Sequence, residues 1–204
     1  MANTTPYEII AAPFTLYWAP VGSAFPLVSS APTAPWIKVG SSGNLNYDDA
    51  AGVTVMHSQS TQAFRALGDA GTRKMFRTEE SMKVRLKLVD ITAEQYRHAL
   101  NMNAVTATAA STGIPGTKKL PLSRGFTVAT VALLIRGDVS PYGDSPLAMQ
   151  YEIPSAAQVG SPTVLFKKSE PVGLELEWEV LVDPNASSDL ERFGRLIEQT
   201  AIPQ

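Results

Sequence analysis

The steadiest signal along the chain is an alternation of apolar and polar residues with a period of two. Met82, Val84, Leu86 and Leu88 alternate with Lys83, Arg85 and Lys87, and Leu174, Leu176, Trp178, Val180 and Val182 alternate with Glu175, Glu177 and Glu179. Each run predicts a strand with one face toward a core; the opposite face is wholly basic in the first and wholly acidic in the second. Val53, Val55 and His57 alternate with Thr54 and Met56, and residues 61–67 continue in extended style after a polar break at residues 58–60. Residues 126–136 are apolar on both faces and rich in β-branched side chains, so they predict the most buried strand. Residues 147–153 and 163–168 predict two more, and Asp183 with Pro184 ends the acidic one.

A helix is predicted from Thr92 to about Asn101. Thr92 and Gln95 form a capping-box pattern, and Ile91 with Tyr96 can act as a hydrophobic staple. A second such pattern, Ser188 with Glu191, precedes Leu190, Phe193, Leu196 and Ile197 and predicts a short amphipathic C-terminal helix. Turn formers fill residues 41–52 and 68–72. Residues 103–125 hold no sustained period and read as a long mobile loop. Residues 1–36 carry one charge, Glu8, and six prolines, which excludes a helix. Their apolar residues Ile9, Ile10, Phe14, Leu16, Trp18, Phe25, Leu27 and Trp36 are too many for a solvated linker. The expectation is an extended N-terminal arm, residues 1–36, lying on a neighbouring subunit through Phe14, Leu16, Trp18, Phe25 and Leu27, followed by a β domain over residues 37–204.

Composition narrows the function classes. The 204 residues suffice for one domain with a sizeable core. A hydrophobic fraction of 44% argues against disorder, and a net charge of -2 supplies no general basic surface for holding DNA. With no cysteine, disulfide scaffolds, thiolate metal sites and cysteine nucleophiles are excluded. No Lys or Arg precedes Lys38, so the basic region of a secretory signal is missing and synthesis in the cytoplasm is expected. The longest apolar run, residues 128–135, is far short of the roughly 20 residues that span a bilayer, so membrane insertion is not expected.

Catalytic patterns find no support. His57 and His98 have no second histidine or carboxylate at metal-ligand spacing, and no phosphate-binding loop, nucleophile elbow or zinc-protease string occurs. Asp48-Asp49 and Glu79-Glu80 are adjacent pairs whose side chains diverge on strands instead of converging as an acid and a base. Arg136-Gly137-Asp138 reads as a turn at a strand end, and the acceptor sequons at Asn3 and Asn185 are idle without a signal sequence. The reading is of a chain with no enzymatic activity, no cofactor and no metal.

Charge geometry remains. Residues 65–87 hold seven basic and three acidic residues, and residues 170–198 hold eight acidic and two basic ones. Lys83, Arg85 and Lys87 can therefore pair with Glu175, Glu177 and Glu179, either within one subunit or between subunits.

Three segments together carry a family resemblance: SMKVRLKLVDITAEQYRHALN at residues 81–101, GLELEWEVLVDP at 173–184 and WIKVGSSGNLNYDD at 36–49. They resemble the strand-then-helix signature, the closing strand and the opening strand and loop of major tail tube proteins of long-tailed bacteriophages, over about residues 36–197. The resemblance implies a mainly β, sandwich-type or barrel-forming subunit with one flanking helix. It further implies hexameric rings stacked into a tube, and contacts with the terminator, tape-measure and distal tail proteins. DNA would pass through such a virion tail without specific binding. The proline-rich arm and the long 103–125 loop depart from the family pattern and leave a tail terminator or head-tail adaptor open. A monomeric β-sandwich recognition module is the rival of a different class, and it would need clustered exposed aromatics; the loops at 41–52 and 103–125 hold only Tyr47.

Overall fold

A computed structural model of the chain describes residues 13–137, 148–164, 166, 168 and 171–199. The fold is mainly β. The strands are β1 (Phe14–Pro20), β2 (Ile37–Lys38), β3 (Val53–Phe64), β4 (Lys74–Leu88), β5 (Thr106–Thr108), β6 (Thr117–Lys119), β7 (Thr130–Gly137), β8 (Met149–Gln158), β9 (Leu174–Val180) and β10 (Arg195–Glu198). Among the described residues one short α-helix, α1 (Ala93–Tyr96), continues as a 3-10 turn over Arg97–Ala99. Eight strands form a single antiparallel sheet in the order β2-β1-β7-β8-β9-β4-β3, with β10 added alongside β8; β5 and β6 form a separate hairpin.

The sheet is rolled so that its far strands meet. Tyr47 bridges by backbone to Leu88 at the end of β4, while its hydroxyl donates to the Val39 carbonyl at 2.7 Å and accepts from the Leu16 amide of β1 at 3.1 Å. Burial pushes the Tyr47 phenol well above its ordinary range, so it stays protonated and able to donate. One rolled sheet thus does the work of two facing layers. Leu16, Val84, Leu88, Leu133, Ile153, Leu176 and Trp178 from five strands fill a common interior. His98 from the 3-10 turn lies there too, its ring edge-on to Trp18 at 5.7 Å and to Trp178 at 6.4 Å.

The alternating runs bury their apolar positions from Met82 to Leu88 in β4 and from Leu174 to Val180 in β9, but Val182 lies beyond the end of β9 and is exposed; β7 is buried from Val131 to Gly137. β7 is covered on both sides. Its inward residues face the main core, while Ala132 and Leu134 join Tyr17, Ala19, Trp36 and Phe25 in a second cluster on the outer side.

That second cluster corrects the arm expectation. Residues 14–20 are not an arm on a neighbour: they form β1, paired with β7 along its whole length and with β2 on its other edge. Leu16 is completely buried inside the subunit, Phe14 and Trp18 pack on the same core, and Phe25 stacks on Trp36 at 5.0 Å. Residues 21–36 fold back over the outer face of their own sheet, where Arg136 donates to the carbonyls of Val28, Leu27 and Ser30, and Gln150 donates to that of Pro26. Of the five proposed contact residues only Leu27 is strongly exposed. The domain therefore includes residues 14–36. Residues 1–12, with Ile9 and Ile10, lie outside the described residues, as do Asn3 and Asp138.

Other expectations change as well. The predicted C-terminal helix is a 3-10 turn, Asp189–Glu191, followed by β10; Gly194 at φ 108° breaks any helix there, and Arg195 is drawn to the buried Glu152 carboxylate at 2.7 Å. The 103–125 loop contains the β5–β6 hairpin, whose Lys118 pairs with Glu94 of α1. The described residues of 163–168 are not in a strand. The helix after β4 is shorter than expected. Thr92 caps it by accepting from the Gln95 amide, but the Gln95 side chain accepts from the Gly40 amide at 2.7 Å instead of closing the capping box.

Burial of His98 predicts an acid-sensitive fold. Its pKa is lowered from 6.5 to about 3, first by burial and then by the adjacent Arg97 guanidinium, which lies over the Trp18 ring. A depressed folded pKa means that its contribution is fully present above 6.5 and is lost as pH falls toward about 3. Stability followed by urea melts should drop across that window, and His98→Phe should flatten the upper part of the profile. An unchanged slope in His98→Phe would exclude His98 as the cause.

Candidate assembly interface

The basic and acidic strands lie side by side in one subunit. Register sets Lys83 opposite Glu179, Arg85 opposite Glu177 and Lys87 opposite Glu175. The ion pairs do not follow the register one to one. Glu177 takes both Lys83, at 2.9 Å, and Arg85, at 2.6 Å, while Lys87 reaches Asp48 at 3.0 Å. The two cations hold the Glu177 carboxyl below its usual range, Lys83 first and Arg85 second, and Lys87 does the same for Asp48. Among the described residues Glu175 and Glu179 make no ion pair, while Glu177 shares its one charge between two cations, so the ladder with Asp48 holds three cations and four carboxylates and is close to neutral. A cleft of about 450 Å³ opens beside this ladder, lined by Thr54, Arg85, Lys87, Ser161, Glu175 and Glu177.

The partly exposed pairs of Glu177 contribute about 0.2–1 kcal/mol each. Glu177→Gln should therefore lower the urea midpoint modestly, and Glu177→Lys further, because it places a third cation beside Lys83 and Arg85. Glu175→Gln should leave stability within about 0.5 kcal/mol of the native chain. Equal losses for Glu175→Gln and Glu177→Gln would contradict the pairing.

The larger feature is the far half of the same two strands. β3 and β4 run on together past the body, pairing from Ser58 with Ser81 out to Phe64 with Lys74. Every residue from 57 to 80 except Ala66 is exposed, on both faces and on both edges. Seven residues of strand project about 20 Å. A register shift between Ser60 and Thr61 sits at the polar break in the sequence, and beyond it Gln62 faces Phe76 and Phe64 faces Lys74. Phe64, Leu67, Met75 and Phe76 are all exposed there, with the Lys74 ammonium 5.1 Å from the centre of the Phe76 ring. The sequence marked residues 61–67 as extended, 68–72 as a turn and 65–87 as basic, and predicted no strand for residues 74–80. It could not show the length of the projection, because with neither face buried no alternation is required.

An isolated two-stranded ribbon is marginal in water, and open strand edges with exposed apolar side chains are binding surfaces. The arrangement can recognise another chain by edge pairing and apolar contact. Among the described residues there is no cluster of three or more histidine or carboxylate side chains able to hold a metal, and no helix is long and apolar enough to cross a membrane. No model of a known protein family and no curated protein matches the chain.

Proposed function

We propose that the chain is a structural subunit of a phage tail tube, assembling into hexameric rings that stack into a conduit for DNA and doing no chemistry itself. The observation that carries this reading is the projecting β3–β4 ribbon: about 20 Å of strand pair with open edges and exposed Phe64, Met75 and Phe76 beside a rolled, otherwise self-contained sheet. Ring closure would give such edges partners on both sides. The resemblance of residues 81–101 and 173–184 to tail tube strands points the same way. A face that is close to neutral, with Glu175 and Glu179 among its carboxylates, suits a channel wall, since it has no net positive charge to hold phosphates and lets DNA slide. Lys83 and Arg85, held by Glu177, are unsuited to gripping it. A terminator of the same lineage would form one ring and stop. Sedimentation velocity over a range of concentrations tests the reading: a ring species growing into longer assemblies supports the tube, a ring of fixed size supports the terminator, and a monomer throughout removes both.

A further inference from the structure

Two exposed surfaces of opposite sign remain uncovered by the described residues of the subunit. The ribbon tip carries Arg65, Arg73 and Lys74 against one carboxylate, Asp69, together with its four exposed apolar side chains. At the other surface, residues 181–198 carry Asp183, Asp189, Glu191 and Glu198 against Arg192 and Arg195, and Arg195 is committed to Glu152. Val182, Leu190 and Leu196 are exposed among those carboxylates. The acidic surface also contains a cleft of about 190 Å³ lined by Phe25, Asp183, Ser187 and Glu191.

We propose that the ribbon tip of one copy seats on the acidic shelf at residues 181–198 of the next copy. Apolar tip residues then meet Leu190 and Leu196, and Arg65 and Lys74 meet Asp189 and Glu191. The partner is a second copy of this chain, because the complementary surface is present on the chain itself. Two different patches that fit each other generate open-ended or ring-closing growth, whereas a self-matching patch would stop at a dimer. Nucleic acid fits the tip less well, since phosphates would use its cations and leave four apolar side chains in water. Opposite charges across such a contact speed encounter and fix register, while like charges oppose it. This inference rests on the reading of a self-assembling subunit and names the contact that joins its copies.

Charge reversal and rescue test it. Arg65→Glu with Lys74→Glu, and separately Asp189→Lys with Glu191→Lys, change exposed or partly exposed side chains remote from the main core, so unchanged thermal melts check that both proteins fold. Each pair should weaken the association constant read from the concentration dependence of assembly about tenfold or more, a loss of about 1.4 kcal/mol or more. The chain with all four changes should regain assembly. Native protein that assembles while either reversal leaves assembly unchanged, or while the fourfold variant stays dispersed, overturns this contact and leaves the tube reading standing. A DNA gel shift lost in Arg65→Glu with Lys74→Glu, with assembly intact, makes nucleic acid the occupant and also overturns it. Native protein that never assembles overturns the contact and the tube reading together.

Discussion

Excising residues 59–80 and joining Ser58 to Ser81 through an Asn-Gly turn should give a protein that folds and melts within a few degrees of the native chain but no longer assembles. The joined residues already face each other, with their hydroxyls 2.7 Å apart, and Asn-Gly provides the two-residue turn whose twist suits a hairpin. Nothing in the excised stretch touches the main core. The nearest core residue of β4 is Met82, and Val84, Leu86 and Leu88 follow it. The excision therefore removes little folding energy and all of the exposed Phe64, Leu67, Met75 and Phe76. Gel filtration beside a thermal melt reads both outcomes. Unfolding on excision would mean that the ribbon stabilises its own subunit, and undiminished assembly would mean that the copies meet elsewhere.

Truncating β1 should do the reverse. Leu16 is fully buried between β7 and Tyr47, so Leu16→Ala should cost about 2–5 kcal/mol, a large part of the roughly 5–15 kcal/mol that holds a typical domain. Leu27→Ala, at a residue 73% exposed in the same proline-rich region, should change stability by about 0.5 kcal/mol or less. Urea unfolding of the two variants separates a core strand from a detachable arm. Comparable small losses would return residues 14–20 to the role of an arm; complete unfolding on deletion of residues 1–20 would agree with the fold described.

β4 and β9 were legible because each buries one face and charges the other, so period two is written in their residues. β1 was obscured by its two-sided burial. Leu16 points to the main core and Tyr17 and Ala19 to the outer cluster, which leaves an unbroken apolar run without charges. Prolines scattered over residues 1–36 added to the confusion, although Pro13 precedes β1 and Pro20 is its last residue. Leu190, Phe193, Leu196 and Ile197 fit helical spacing, but Gly194 and the pull of Glu152 on Arg195 convert the segment to a strand. The charge ladder was legible as composition only. Which carboxylate takes which cation depends on side-chain reach across the sheet, and Asp48 entered through a loop that sequence spacing does not connect to Lys87.

Negative-stain electron microscopy of the purified, concentrated chain bears most directly on the central claim. The account predicts annular particles with an open axial hole, stacking end to end into tubes of constant width. Solid, solitary particles of monomer size at every concentration, from a protein with a single cooperative melt, would contradict it.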